Sequence, residues 1–220
     1  MNNRSVIITA GGIGRRMRSS LPKQFILVNE KPILMYTIKV FYDFDPTIEI
    51  LLTLPEDWRN YWEELLIEHD FKIPHRIISG GKERYNSIKN ALAKCTGEII
   101  AVHDGVRPLV EQDTIRHCFA EAEKNGAAIP VVPIVESMRK KTDSGTEIVD
   151  RTEFLIVQTP QCFQREILLG AYENPYHPGI TDDASLVEEA GHTIEMIIGN
   201  DSNIKITTQS DLKYAGMFLK

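Results

Sequence analysis

The chain has 220 residues, 42% of them hydrophobic and 25% charged. That balance supplies a substantial core without disulfide or metal staples, and it excludes disorder and fibrous repeats. A formal net charge of -6 excludes a broadly basic nucleic-acid-binding face, and no apolar run reaches the ~18 residues of a membrane span. The start, MNNRSVIITAGG, lacks the pattern of a secretory leader, so a cytoplasmic protein is expected. Cys95, Cys118 and Cys162 are widely spaced, with no CxxC pair or histidine cluster, which argues for buried thiols rather than a zinc site.

In chain order, residues 5–9 are β-branched and stopped by glycines, as in a short buried strand. Residues 32–44 carry apolar positions at helical spacing behind Pro32. A strand is predicted at 48–54, a helix at 58–69, and a strand at 76–78; Gly80 and Gly81 then open a helix to about Cys95. Residues 99–102 form the next strand and 111–125 a helix ended by Gly126. The apolar stretch 127–135 contains Pro130 and Pro133, which demote it from a central strand. Beyond it come strands near 155–158, 195–198 and 204–206, and helices near 164–174, 183–190 and from about Ser210.

Strands alternating with helices imply βαβ units, hence an α/β, doubly wound, mostly parallel sheet over a single domain, 1–220. Ligands of such sheets bind beyond the carboxyl ends of the strands. Residues 136–150 break the rhythm: two polar strands flank Asp143-Ser144-Gly145, as in a projecting β-hairpin, and the arm is placed at 136–158. A two-stranded hairpin is marginal alone in water, so a second subunit is expected to cover it.

Several constellations carry chemistry. AGGIGRRM followed by LPKQ places Ala10, Gly11, Gly12 and Gly14 in a loop able to aim amide N–H groups at an anion. Arg15, Arg16 and Lys23 add positive charge, and residues 1–24 contain no acid. Met17 stands where a dinucleotide fingerprint needs its third glycine, and no Gly-Lys-Ser/Thr follows either glycine loop, which argues against nicotinamide and Walker-type enzymes. In SGGKERYNS, the glycines allow a planar base to approach the backbone while Arg84 and Ser87 supply donors. In VHDGVRP, Asp104 can hold Mg²⁺ or orient a hydroxyl and Arg107 can fork onto phosphate; an internal Asp104–Arg107 ion pair is the alternative. TDDASLVE reads equally as helix-capping chemistry. Lys205, in NIKITT, needs an anion if it points inward from its strand and nothing if it points outward.

AGGIGRRM with PKQ, SGGKERYNS, VHDGVRP, TPQ, TDDASLVE and NIKITT, in this order and spacing, resemble the 2-C-methyl-D-erythritol 4-phosphate cytidylyltransferase family and its near relatives, the ribitol 5-phosphate cytidylyltransferases. TDDASLVE looks more like the erythritol enzymes. The resemblance covers nearly the whole chain and implies transfer of CMP from CTP to 2-C-methyl-D-erythritol 4-phosphate with release of pyrophosphate, in non-mevalonate isoprenoid biosynthesis. It implies Mg²⁺ or another divalent cation, with Asp104 as its protein ligand, and a homodimer that exchanges its β-arms. It further implies Arg16, Lys23 and Lys205 as catalytic cations. Ala10, Gly11, Gly12, Gly14, Gly80, Gly81, Arg84, Ser87 and Gly105 would hold the nucleotide, and Asp104, Arg107, Ser137, Arg151 and Thr159 the polyol phosphate. Gly105, where many relatives carry alanine, and Lys82, where some carry an acid, depart from the family pattern. Rival functions are a sugar-1-phosphate nucleotidyltransferase and a non-catalytic nucleotide-binding protein.

Overall fold

The computed structural model describes residues 3–12 and 21–219. Strand β1 (Arg4–Thr9) is followed by a minimal hairpin of β2 (Leu27–Val28) and β3 (Lys31–Pro32), then α1 (Ile33–Phe44), β4 (Glu49–Leu54), α2 (Arg59–Glu68), β5 (Arg76–Ser79), α3 (Arg84–Leu92), β6 (Ile99–Asp104) and α4 (Gln112–Asn125). The later half holds β7 (Ala127–Pro133), β8 (Met138–Thr142), β9 (Gly145–Val149), β10 (Leu155–Val157), β11 (Gln161–Gln164), α5 (Arg165–Ala171), α6 (Asp183–Glu189), β12 (Glu195–Ile198) and α7 (Gln209–Phe218). The main sheet runs β10-β7-β11-β6-β1-β4-β5, with β12 paired to β7.

Its parallel half is β6, β1, β4 and β5. Side chains alternate across a strand, so β1 sends Val6 and Ile8 into the core beneath α1, α2 and α4, and Ile7 into the core beneath α3, α5 and α6. Apolar residues on both faces are why these strands read as continuous hydrophobic runs.

Three expectations are corrected. The stretch with Pro130 and Pro133 is a strand inside the sheet, β7, paired to β10, β11 and β12. Pro130 lacks a donor but its carbonyl still accepts from Gln158 N–H at 2.8 Å, and Pro133 is the last residue of the strand. Residues 204–206 form no strand, because both edges of neighbouring β6 are already taken by β1 and β11; one bond, Ile206 N–H to the Val106 carbonyl at 3.0 Å, pins the segment instead. The helix expected to open at Gly80 starts four residues later, at Arg84, leaving both glycines in a loop.

Strand β11 was not anticipated. It lies antiparallel between β6 and β7, and its four residues QCFQ are too few to show a period. The polar hairpin forms as expected: β8 and β9 make a separate two-stranded sheet around Asp143 and Ser144, with Gly145 at φ +140°, a conformation open to glycine. Its residues are exposed almost throughout.

Candidate active site

Parallel strands share their carboxyl edge, so the loops leaving β1, β4, β5 and β6 gather on one side of the sheet. They enclose a cleft of about 280 Å³ whose wall draws on distant segments: Ala10 to Gly12, Lys23 and Gln24, Gly80 to Arg84, Ser87, Asp104 and Lys205.

The first loop is anchored at both ends. Ala10 N–H donates to the Thr53 carbonyl at 3.0 Å, extending the β1–β4 ladder, and buried Gln24 donates Nε2–H to the Ala10 carbonyl at 2.6 Å. A Cβ on Gly12 would lie 3.6 Å from Lys23 Cε, so the lysine stem runs beside the loop. Gly14 and Arg16 lie outside the described residues.

The second loop is shaped by what surrounds it. A Cβ on Gly81 would meet Asn86 Cβ at 2.3 Å, which demands glycine. Ser87 Oγ accepts from Gly81 N–H at 2.9 Å and donates to the Glu83 carbonyl at 3.2 Å, so its hydroxyl holds the loop's form. Arg84 opens α3 and lines the cleft, with Nη2 donating to Asp183 Oδ2 at 2.6 Å. Burial opposes the guanidinium charge, but the Asp183 and Asp104 carboxylates outweigh it and raise the Arg84 pKa.

The third loop carries the carboxylate. Asp104 Oδ2 accepts from Lys205 Nζ and Arg107 Nε, each at 3.1 Å. Burial by itself would raise the Asp104 pKa; Lys205, Arg84 and Arg107 overcome it and hold the carboxyl well below the usual range. Arg107 also donates Nη1–H to the Asn203 carbonyl at 2.7 Å, so the internal ion pair weighed from the sequence is present. Lys205 reaches the cleft from irregular chain rather than from a strand.

Behind Asp104 is a hydrogen-bond relay that the sequence did not disclose. His103 is fully buried, and burial pushes its pKa down to about 4. Its Nε2 lies 3.0 Å from the Arg107 carbonyl, which can only accept, so Nε2 carries the proton and Nδ1 accepts from Thr159 Oγ1 at 3.0 Å. Thr159 Oγ1 in turn accepts from Asp104 N–H at 3.2 Å. Thr159 thus stands behind the cleft wall, bound to the loop that presents Asp104.

Not every expected residue converges. Gly105 packs beneath the first loop: its N–H donates to the Thr9 carbonyl at 2.9 Å, and a Cβ would meet that oxygen at 3.0 Å and Leu34 Cδ1 at 3.1 Å. Ser137 and Arg151 are exposed at the base of the hairpin, where Arg151 Nη1 donates to the Val135 carbonyl, and neither lines the cleft of one chain. In TDDASLVE, Asp182 is the N-cap of α6, accepting from Ser185 N–H at 3.0 Å. The following Asp183 is the fully buried partner of Arg84, and its other oxygen accepts from Tyr172 Oη at 2.6 Å. A second aspartate beside the one that caps was the available signal.

Among the described residues no group of three or more His, Cys, Asp or Glu side chains could form a metal cage. Asp104 nonetheless presents a carboxylate to the cleft, its Oδ2 met by Lys205 and Arg107. A cleft-lining carboxylate fits Mg²⁺, which keeps several waters and takes one or two carboxylates plus substrate oxygens.

A doubly wound sheet carrying two glycine loops, converging cations and the Asp104 carboxylate at its carboxyl edge defines a nucleotide-handling transferase. Residues 5–220 match the family model of IspD, 2-C-methyl-D-erythritol 4-phosphate cytidylyltransferase, and the chain belongs to that family, whose members are nucleotidyltransferases. It is 47% identical over 217 residues to the 2-C-methyl-D-erythritol 4-phosphate cytidylyltransferase of Bacteroides fragilis, covering 98% of this chain and 99% of the relative. The Bacteroides thetaiotaomicron enzyme of the same name is 47% identical over 216 residues, covering 98% and 99%. Among solved structures, 4-diphosphocytidyl-2C-methyl-D-erythritol synthase from Anaerococcus prevotii superimposes with a TM-score of 0.82 at 26% identity, covering 99% of this chain and 96% of that one. Among the described residues no helix is long and apolar enough to cross a membrane.

Proposed function

We infer that the protein transfers the cytidylyl group of CTP to 2-C-methyl-D-erythritol 4-phosphate, releasing pyrophosphate, as a step of isoprenoid precursor synthesis in the cytoplasm. Family membership supports the reaction. The single observation that carries it is the meeting of Lys23, Arg84 and Lys205 with Asp104 around one cleft, from four separate stretches of chain.

A phosphate oxygen of the acceptor attacks the α-phosphorus of CTP in line. A P–O bond forms there as the bond to the β-phosphate oxygen breaks, and the electron pair leaves with pyrophosphate. The nucleophile is already an anion, so no side chain needs to remove a proton. What the protein must supply is positioning and positive charge against the repulsion of anions brought together. Lys23 and Lys205, with Arg16 from outside the described residues, neutralise the α-phosphate and the leaving group. Ala10 to Gly12, Gly14, Gly80, Gly81 and Arg84 receive the nucleotide, with Ser87 and Gly105 fixing the loops from behind.

Asp104 would hold Mg²⁺; when bound, that ion would supply neutralisation of triphosphate charge. Arg107 and Thr159 keep Asp104 in place. The acceptor's phosphate needs further donors, and Ser137 and Arg151 supply them from the hairpin of a second subunit, 136–158 being the exchanged arm of a single-domain protomer. Exposed Leu155, Ile156 and Val157 on β10 support such a pairing, since an apolar strand beside the hairpin base gains stability when covered.

Incubating the protein with CTP, Mg²⁺ and either methylerythritol phosphate or ribitol phosphate tests the reaction. Pyrophosphate release with the first acceptor and little with the second is expected. Release with neither, or preference for ribitol phosphate, refutes the assignment.

A further inference from the structure

We propose that Asp183 is a positioning residue that sets nucleotide affinity by fixing the Arg84 guanidinium in the wall of the cleft, a role that rests on the cytidylyltransferase function above. The carboxylate is fully buried, and burial of a charge is costly unless it is paired and hydrogen-bonded. Its side chain is not needed to start α6, because Asp182 already caps that helix. Both of its oxygens are spent on other elements: Oδ2 on Arg84 Nη2 and Oδ1 on Tyr172 Oη, each at 2.6 Å.

The carboxylate is itself rigidly placed. Gln161, on β11, accepts through Oε1 from Asp183 N–H at 3.1 Å and Ala184 N–H at 3.0 Å, and donates Nε2–H to Asp182 at 2.6 Å. On the other side the Tyr172 ring stacks on Tyr85, centroids 4.8 Å apart, and Tyr85 Oη donates to the Tyr172 carbonyl at 3.0 Å. Arg84 is thereby tied to a strand inside the sheet and to an aromatic pair. An arginine otherwise loses rotamer freedom when it binds, and an immobile carboxylate removes that freedom before the ligand arrives. Among the described residues the guanidinium's hydrogen bond goes to Asp183, and its further N–H groups are available for phosphate.

Asp183 has two opposed effects on a triphosphate, so its removal has a diagnostic sign. Its negative charge weakens the attraction between Arg84 and phosphate, whereas its geometry strengthens it. If geometry dominates, Asp183→Asn, which keeps the side-chain volume but loses the charge-assisted bond that fixes the guanidinium, binds the nucleotide less well. If charge dominates, it binds better.

Calorimetric titration of the full chain with CTP and Mg²⁺, alongside steady-state KM values for CTP and for methylerythritol phosphate, reads that sign. Asp183→Asn is expected to weaken CTP binding about tenfold, the loss of one charge-assisted contact. Tyr172→Phe is expected to weaken it about threefold, as a neutral hydrogen bond lost from the same carboxylate. The KM of the acceptor stays unchanged in both. Equal or tighter CTP binding by Asp183→Asn overturns the proposal, as does a loss of active fraction with an unaltered dissociation constant. Should Asp183→Asn fail to fold, Tyr172→Phe decides, and unchanged CTP affinity in it overturns the proposal. A wild-type protein that binds no CTP would refute the cytidylyltransferase function instead.

Discussion

Two regions of the sheet handle their exposed edges in opposite ways. Along β1, β4 and β6 every apolar strand residue is buried, on edge strand β5 Ile77 and Ile78 are half-buried, and the carboxyl edge is left to glycines, cations and the carboxylates of Glu83 and Asp104. Around β7, β10 and β12 the pattern reverses: Ile156 is 46% exposed, Ile198 on β12 is 87% exposed, and the β8–β9 hairpin stands apart from the main sheet. The first region buries its apolar strand residues within one chain. The second has exposed apolar side chains on β10 and β12, the surface that the proposed second subunit would cover.

If the first region is self-contained, its integrity depends on groups that one chain buries. His103 is held neutral: burial, then the Arg107 and Lys205 cations, depress its pKa from 6.5 to about 4 against the opposing pull of the Arg107 carbonyl and Asp104. The unfolded chain therefore binds the additional proton between those values. The stabilisation is complete above about pH 6.5 and is lost as pH falls toward 4. Urea unfolding at pH 6.5 and 4.5 should differ by roughly 2 kcal/mol, about thirtyfold in the folding equilibrium. In His103→Asn the slope should flatten; an equally steep slope there would assign the effect to other groups.

Gly81→Ala presses on the same region with a smaller effect. The added Cβ collides with Asn86 at 2.3 Å, so the loop must shift, and CTP KM should rise about tenfold while the midpoint of thermal unfolding moves little. An unchanged KM would mean the loop does not receive the nucleotide. For the second region, Ile156→Asp places a charge on the exposed face of β10. Sedimentation should show a wild-type dimer shifted toward monomer in the variant, with CTP affinity kept within about twofold, since the sites are well separated. A variant as dimeric as the wild type would end the contrast between the two regions.

The same contrast governs what the sequence disclosed. The buried strands β1, β4 and β6 were legible because both faces are apolar, and the hairpin because its turn is polar and glycine-bearing. β11 was hidden because four residues show no period, and β7 was undervalued because Pro130 loses a donor yet keeps its acceptor. Lys205 was recognised as chemically notable but assigned to a strand that has no free partner edge. Asp183 and His103 escaped for another reason: capping accounted for the first, and a histidine before an aspartate says nothing about a relay through Thr159. Contacts between residues 56 or 99 positions apart, as in His103–Thr159 and Arg84–Asp183, exist only once the sheet is assembled.

The central claim is that positive side chains drawn from separate segments carry the catalysis. Single-turnover transfer from saturating CTP to methylerythritol phosphate, measured with a folded Lys23→Ala protein, addresses it most directly. The rate should drop at least about a hundredfold, the cost of losing one preorganised charge-stabilising group. A rate close to that of the unaltered protein would contradict the account.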